Sequence, residues 1–237
     1  MRLFLKILGT IVAIILLIPL TFLAWVYFYA GGLPDVTSLQ ALMPAEKTQV
    51  TLPNCGMPAS VTAIPAFEMA RFHDALIAAE GDPKDTGAFR DQVRAFAIDE
   101  NPRPRARYSY HLANQVYCLH SDGIMSWHLG VWRTTVQVER RFKPDDILTI
   151  YSNSAYFGNE THGIENASQR YFKKRALQLS IGEDAFLAGL LRSPKRFLKT
   201  ADAAIERRNA VLDRMAALQM ISVGEAEKAK GQPLGLQ

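Results

Sequence analysis

The sequence predicts a mainly α-helical protein, in which an N-terminal transmembrane helix is followed by a helical domain. Three observations support this fold class. An uncharged apolar run extends from Ile7 to Ala30. Further along the chain, apolar residues recur at spacings of three and four, which is the period of an amphipathic helix. No hairpin signal such as Asn-Gly lies between two alternating runs, so strands are not expected to dominate.

The apolar run is long enough to cross a bilayer. Its 24 residues would extend about 36 Å as a helix, against a hydrocarbon core of about 30 Å. A secretory signal is shorter and ends in small residues, whereas this run ends in aromatic residues, which suit the membrane-water interface. Arg2 and Lys6 precede the run. The positive-inside rule therefore predicts an uncleaved anchor within residues 1–35, a cytoplasmic N-terminus and an exported domain.

Charge and cysteine content narrow the functions of the exported part. Arg2 and Lys6 carry two of the net +4 charges, so the exported part carries only +2. We therefore expect no nucleic-acid partner. Cys55 and Cys118 are the two cysteines, and in an oxidising compartment they are a disulfide candidate. Neither has a C-x-x-C partner and the five histidines are scattered, so no metal site is predicted.

Basic residues nevertheless form two groups. The first consists of Arg103, Arg105 and Arg107, and the second of four residues within 170–175: Arg170, Lys173, Lys174 and Arg175. Guanidinium and ammonium groups bind phosphate, so either group could contact lipid headgroups or a pyrophosphate. The alternative is a solvated surface.

The first part of the exported segment is predicted to be irregular and is followed by a helix. Residues 36–65 contain many turn formers and are interpreted as a linker and the start of the domain. After Pro65, the apolar residues Met69, Phe72, Leu76 and Ala79 recur with helical spacing. This helix should end near Gly81. Glu80 then lies at its C-terminus.

The middle of the chain gives mixed signals. Residues 81–107 contain several prolines and are predicted to be loop around one short helix at 89–98. Residues 109–119 are ambiguous. Trp127, Val131, Thr134 and Val138 then follow one face of a predicted helix.

Helix starts are clearest in the last hundred residues. Pro144 precedes two aspartates, a combination that favours the first turn of a helix. Ser180 and Ser222 each precede a glutamate by three residues, which predicts two capping boxes. Asp202 is predicted to cap a helix that extends through Met215.

Several sequence blocks resemble the family 51 glycosyltransferases, which polymerise lipid II into the glycan strands of peptidoglycan. The matching blocks are E-R-R-F-K-P-D-D-I-L-T-I-Y-S-N-S-A-Y-F-G-N at 139–159, H-G-I-E-N-A-S-Q-R-Y-F-K-K at 162–174, A-F-L-A-G-L-L-R-S-P at 185–194 and E-R-R-N-A-V-L-D-R-M at 206–215. Upstream, I-P-A-F-E-M-A-R-F-H-D-A-L-I-A-A-E-G-D at 64–82 resembles the first block of the family. An anchor followed by one such domain is also how the monofunctional members are built.

The resemblance implies a fold, a location and site residues. The expected fold is a lysozyme-like helical glycosyltransferase domain over residues 66–237, on the periplasmic side of a bacterial inner membrane. The catalytic base of the family falls on Glu80. Asn153 also matches a family position, although it could equally bond to neighbouring backbone. Arg207 and Arg208 match the last block, where we expect them to hold lobes together through carboxylates.

Other positions of the family's active site carry different residues. Gly81 and Lys84 stand where the family has aspartate and phenylalanine, and A-R-Y-S-Y-H at 106–111 replaces a polar block. Trp127 and His128 replace a basic pair, and Val131 replaces a second catalytic glutamate. Losing a charged donor costs about 10²–10³ in rate and losing an acid-base partner about 10²–10⁴. The sequence therefore indicates a glycosyltransferase-like protein with weak or lost catalysis.

Three functional hypotheses follow from these observations. The leading one is a membrane-anchored protein of cell-wall biogenesis that binds lipid II or glycan strand. The second is an active polymerase that would use Glu80 as base and a divalent cation, Mg²⁺ or Mn²⁺, with Arg103, Arg105 and Arg107 replacing the lost cations. The third is a scaffold for other wall-synthesis proteins. Two alternatives remain for Tyr108, Tyr110 and His111: they form a rebuilt ligand surface, or they are packing residues. The predicted substrate-binding residues are His111, Asn153 and the three arginines Arg103, Arg105 and Arg107.

Overall fold

A computed structural model describes residues 17–22, 36–52, 59–80, 106–117 and 124–236. Residues 17–22 are helical and their apolar side chains are exposed. They belong to the predicted transmembrane run, most of which lies outside the described residues. Within the described parts of the chain, no helix combines the length and the apolarity needed to cross a bilayer.

A small sheet precedes the helical domain. A 3₁₀ helix at Val36–Leu42 is followed by strands β1 (Thr48–Leu52) and β2 (Ala59–Ala63), which pair antiparallel with Val50 opposite Val61. The prediction of an irregular linker over 36–65 is wrong for these ten strand residues. Each strand has only five residues, with β-branched Val and Thr between neighbours that favour turns, so the signal is too short to stand out.

Nine α-helices follow in the described residues, with two short 3₁₀ helices at Ala66–Met69 and Ala176–Gln178. The α-helices are α1 (Ala70–Glu80), α2 (Ala106–Tyr117), α3 (Ile124–Arg141), α4 (Pro144–Ser154), α5 (Ile164–Phe172), α6 (Ile181–Leu190), α7 (Pro194–Phe197), α8 (Ala201–Ala217) and α9 (Val223–Lys230). The mainly α class is therefore confirmed. The ambiguous stretch at 109–119 belongs to α2 as far as Tyr117, and its last two residues lie outside the described residues. The predicted short helix at 89–98 also lies outside them.

Two apolar clusters hold the helices together. In the larger cluster, α1 packs against α6 and α8, while α4 lies against β2 and the 3₁₀ helix at Val36–Leu42. The smaller cluster lies between α2 and α3 and consists of Ala113, Tyr117 and Val131, with Tyr110 and Trp127 packed against it. Burial of the apolar faces drives both associations. The α2–α3 pair contacts the rest of the domain partly through α4.

Helix α3 approaches α2 closely because of a glycine. A side chain at Gly130 would place a Cβ atom 1.8 Å from Cζ of Tyr117, a distance that no packing can accommodate. Tyr117 is 1% exposed and is among the largest fully buried side chains. Glycine at this position therefore permits the α2–α3 contact.

Helix starts agree with the sequence signals in three of four cases. The Ser180 and Ser222 capping boxes are both present, and α4 begins at Pro144. The prediction that Asp202 caps α8 is wrong, because the cap is Thr200, whose hydroxyl accepts a hydrogen bond from the Ala203 amide at 3.3 Å. Asp202 lies in the first turn of α8, where its charge complements the helix dipole.

Candidate functional site

Glu80, the predicted catalytic base, is the last residue of α1. The helix is fixed on one side by its buried residues Phe72, Ala75 and Leu76, which belong to the larger core. The spacing of Phe72 and Leu76 predicted this face of α1, and the structure confirms that both residues are in the core. The backbone position of Glu80 is thus determined by how α1 packs on α6 and α8.

Tyr108 joins α2 to the last turn of α1. Its hydroxyl donates a hydrogen bond to the Leu76 carbonyl at 2.6 Å, and its side chain is 4% exposed. Its ring lies 4.8 Å from the ring of Tyr151, centroid to centroid. Of the two alternatives raised for Tyr108, the structure supports packing.

Arg207 binds the same turn of α1 from the opposite element, α8. Its Nη2 donates to the Ala79 carbonyl at 2.9 Å and its Nε to the Gly189 carbonyl at 3.3 Å. Its guanidinium carbon lies 5.9 Å from the Phe197 ring centroid. Arg207 therefore brings a positive charge to the C-terminal end of α1, where the helix dipole is negative.

Arg208 contacts a different part of the domain, the C-terminal end of α9. It is 2% exposed and donates to the carbonyls of Lys230 and Gln232, both at 2.8 Å, at the end of α9. Both arginines were expected to bind carboxylates. The bonds described here go to main-chain carbonyls, and one further bond of Arg208 goes to the side-chain oxygen of Asn209. The expected contact with carboxylates stays a prediction.

His111 lies on the exposed side of α2, in a short row of rings. Its ring centroid is 6.2 Å from that of Tyr110 and 5.9 Å from that of Tyr151. Tyr110 also packs against the small apolar cluster. His111 is thus accessible to a ligand, and its assignment to substrate binding stays a prediction.

Asn153 is fully buried in α4. Its amide nitrogen donates to the carbonyls of Leu42 at 2.9 Å and Ile64 at 2.8 Å, and its oxygen accepts from the Ile64 amide at 3.1 Å. These bonds join α4 to the 3₁₀ helix at Val36–Leu42 and to the end of β2. They correspond to the second alternative for Asn153, a bond to backbone rather than to substrate.

The positions at which the family resemblance places charged residues, and at which this chain has uncharged or aromatic ones, lie on α3. Val131 is 0% exposed and belongs to the cluster of Ala113 and Tyr117. Trp127 packs against the same cluster, and its ring centroid lies 4.7 Å from that of the exposed His128. This face of α3 is therefore filled by apolar and aromatic groups where the family resemblance places charge.

Several candidates lie outside the described residues or side chains. Arg103, Arg105, Cys55 and Cys118 fall in the parts of the chain that the structure does not describe, so neither the first basic group nor the disulfide is tested. Arg107 lies in the first turn of α2.

The second basic group is partly neutralised by acids. Lys174 Nζ lies 2.7 Å from Glu183 Oε1, and Arg175 Nη2 lies 2.7 Å from Glu68 Oε2. Half of this group thus forms surface ion pairs, which agrees with the solvated-surface alternative for these two residues.

An ion pair between the partly exposed Arg71 and the buried Asp184 links α1 to α6. Arg71 Nε lies 2.5 Å from Asp184 Oδ2, and Arg71 also donates to the Leu179 carbonyl. Burial raises the pKa of the Asp184 carboxyl to about 7, against the opposing effect of Arg71. The two residues are 113 positions apart, which explains why no local pattern indicates the pair.

A second buried acid, Glu165, binds a lysine side chain and a main-chain amide. Glu165, 1% exposed, accepts from Lys47 Nζ at 2.6 Å and from the Ala176 amide at 2.8 Å. Both buried acids therefore stabilise contacts between elements and are occupied by partners.

The described residues contain no group of three or more His, Cys, Asp or Glu side chains that could hold a metal ion. The part of the site that the structure describes therefore offers no ligand set for the divalent cation that an active family member would use, and we assign no step to it.

Comparison with known proteins places the chain among transglycosylases. The Transglycosylase family model matches residues 114–216. A Cupriavidus necator protein that is named a transglycosylase is 31% identical over 208 residues, which cover 86% of both chains. The match to Pseudomonas aeruginosa penicillin-binding protein 1A is 39% identical over 120 residues but spans only 15% of that protein's length.

Among solved structures, the chain is similar to the crystal structure of penicillin-binding protein 1A from Haemophilus influenzae. The identity is 27% and the match covers 56% of this chain and 17% of that one, with a TM-score of 0.38.

Proposed function

We propose, for a chain that belongs to the transglycosylase family of peptidoglycan glycosyltransferases, that it binds lipid II or glycan strand at the cell wall and that its catalysis is weak or lost. The proposal includes an N-terminal membrane anchor and a periplasmic domain. The sequence of Ile7 to Ala30 and the two basic residues before it support this topology.

The observation that carries the proposal is the burial of Val131. Sugar transfer from a pyrophosphate carrier needs a carboxylate to accept the hydroxyl proton and cations or donors to stabilise the leaving pyrophosphate. Val131 takes the position of the family's second catalytic glutamate, and it is sealed between Ala113 and Tyr117. An ionised carboxylate at this point would lose its hydration without gaining a described partner, which is strongly unfavourable.

The neighbouring positions support the same reading. Trp127 and His128 replace a basic pair, and the two rings contact each other edge to face. An indole carries no charge, so Trp127 supplies no cation at its position. This part of α3 would bind sugar rings better than it would neutralise a pyrophosphate.

Binding can persist without turnover because the scaffold is retained. The four matching blocks from residue 139 onward form α4 to α8, which pack into the larger core. Glu80 also remains at the end of α1. The proposal therefore separates recognition of the glycan, which needs shape and hydrogen bonds, from transfer, which needs the missing charges.

The alternative is an active polymerase, and Glu80 is the residue that favours it. In that case the three arginines between 103 and 107 would supply the cations that Trp127 and His128 lack. The third hypothesis is a scaffold that contacts other wall-synthesis proteins, and it would remain if the protein binds no glycan ligand.

One experiment distinguishes these functions. Purified full-length protein is incubated with lipid II and Mg²⁺ or Mn²⁺, and polymer is measured on gels while binding is measured by titration. We expect saturable binding of lipid II with little or no polymer. Polymer that disappears in Glu80→Gln but persists in Glu206→Gln, an exposed control on α8, would show an active enzyme. Absence of any lipid II binding would overturn the proposal.

A further inference from the structure

The C-terminal end of α1 presents a physical problem. The last carbonyls of an α-helix have no partner within the helix, and a carboxylate at that end is repelled by the dipole at a cost of about 0.3–1 kcal/mol. Helix α1 ends in Glu80 and has no basic residue in its last turn. Donors and positive charge from other elements would therefore stabilise this part of α1.

Arg207 provides both. It donates to the Ala79 carbonyl, one of the last four of α1, and it carries a fixed positive charge. The same guanidinium is held by the Gly189 carbonyl and lies over the Phe197 ring. Three contacts on three elements leave it little freedom to move away from α1.

Gly189 leaves space for the side chain of Arg207 to reach α1. A Cβ atom at position 189 would lie 2.9 Å from Cγ of Arg207 and 3.4 Å from its Nε. Cγ is near the start of the side chain, so the arginine could not avoid the added methyl by moving its end alone. The glycine in the A-F-L-A-G-L-L block is thus required for the contact between Arg207 and α1.

Tyr108 holds the same turn from α2. Its buried hydroxyl donates to the Leu76 carbonyl, which in a regular helix also accepts the amide of residue 80. A carbonyl oxygen has two lone pairs and can accept both bonds. The ring is fixed in turn by Tyr151.

We infer that Tyr108 and Arg207 are positioning residues for Glu80. Their bonds to the Leu76 and Ala79 carbonyls, named here the α1 clamp, fix the last turn of α1 from two sides and so set the backbone position of Glu80. The inference rests on the proposed role of Glu80 in the site. The α1 clamp also couples α2 to that turn, so a shift of α2 would move Glu80.

The test compares variants of the full-length protein in lipid nanodiscs. Tyr108→Phe removes one hydroxyl, Arg207→Gln removes the charge, and Gly189→Ala displaces Arg207 without altering it. Two measurements are made on each: hydrogen exchange of the amides of residues 77–80, and the Kd for lipid II. We expect each variant to speed exchange in this turn by about tenfold, which corresponds to one lost hydrogen bond, and to weaken lipid II binding by a similar factor.

Matched controls separate positioning from general stability. Tyr171→Phe also removes a buried hydroxyl bonded to a carbonyl, that of Phe157 at 2.9 Å, but away from α1. Arg208→Gln removes a neighbouring buried guanidinium whose carbonyl acceptors follow α9. We expect both controls to lower the melting temperature without selective exchange in residues 77–80 and without a change in Kd at a temperature where they are folded.

Each outcome decides the inference. Faster exchange confined to the three clamp variants supports it. Unchanged exchange in residues 77–80, or equal acceleration in the two controls, overturns it whether or not lipid II binds. If the unaltered protein does not bind lipid II, the proposed function fails, while the exchange measurements still decide whether the α1 clamp exists.

Discussion

The helices after residue 143 and the α2–α3 pair before it are built in different ways. Helices α4 to α9 pack into the larger apolar core together with α1, and three of them begin with a capping box or a side-chain cap on a serine or threonine. The α2–α3 pair contributes Leu112, Val116 and Val138 to the same core, but it also has a separate cluster of only three fully buried residues, Ala113, Tyr117 and Val131. Buried side-chain oxygens of Asn114 and Gln137 have no hydrogen-bond partner among the described residues.

The difference teaches which contacts constrain the residues of a fold. A large core depends on many simultaneous contacts, so few of its positions can change independently. Under the proposed function, the small α2–α3 cluster has fewer such constraints, so apolar residues can occupy positions where the family resemblance places charge. The family model matches residues 114–216, which include α3 to α7 and nearly all of α8, whereas α1 with Glu80, most of α2 and α9 lie outside the match.

The largest expected effect separates the two clusters directly. Leu187→Ala truncates a side chain that is 0% exposed in the larger core, and we expect a loss of about 2–5 kcal/mol in the free energy of unfolding. Val131→Ala removes less apolar surface, and we expect about 2 kcal/mol. Denaturant titration followed by hydrogen exchange measures both.

The location of the effect matters as much as its size. We expect Val131→Ala to speed exchange only in α2 and α3, because their cluster is separate from the larger one. Equal acceleration throughout α6 and α8 would mean that the two clusters unfold as one unit, and the comparison between them would lose its basis.

The next prediction concerns the ion pair inside the larger region. Arg71→Gln leaves the carboxylate of Asp184 buried without its cation, and we expect a loss of about 3 kcal/mol at pH 8. Lys230→Gln, which breaks ion pairs with the exposed Asp213 and Glu227, should cost no more than about 1 kcal/mol. Thermal unfolding of both variants gives the comparison, and similar losses would show that Arg71 makes only a surface contribution.

Much of the fold could be predicted because its signals are local. The spacing of Met69, Phe72 and Leu76 predicted α1, and Pro144 and Ser180 marked the starts of α4 and α6. The strands β1 and β2 were missed because five residues carry too little pattern. Asp202 was mistaken for a cap because Thr200 and Asp202 both suit a helix start, and only the backbone geometry distinguishes them.

The site was less predictable because its contacts are distant in sequence. Glu80 was placed correctly at a helix end, but nothing local indicates that Arg207, 128 residues from Ala79, binds the preceding carbonyl. The same holds for the Arg71–Asp184 pair. The role of Asn153 depended on where Leu42 and Ile64 come to lie, which a single sequence does not report.

A smaller effect is expected from pH. The pKa of Asp184 is raised by burial from 3.8 to about 7, so between these values the folded protein binds more protons than the unfolded chain. Its stability should therefore fall as the pH rises from about 4 to about 7. Asp184→Asn removes this titration, and the slope should disappear from urea midpoints measured across the range. A slope of the same size in the variant would assign the pH dependence to other groups.

The smallest expected effect tests the capped helix starts that distinguish the large-core region. Ser180 accepts a hydrogen bond from the Glu183 amide at 3.3 Å, and Glu183 accepts one from the Ser180 amide at 2.7 Å. Ser180→Ala removes one of these bonds while α6 stays buried on its other side, so we expect a loss of about 1 kcal/mol. Ser180→Thr keeps the acceptor and should lose less in the same thermal unfolding experiment. If alanine and threonine were equivalent, the cap would contribute nothing, and burial alone would account for the stability of this region.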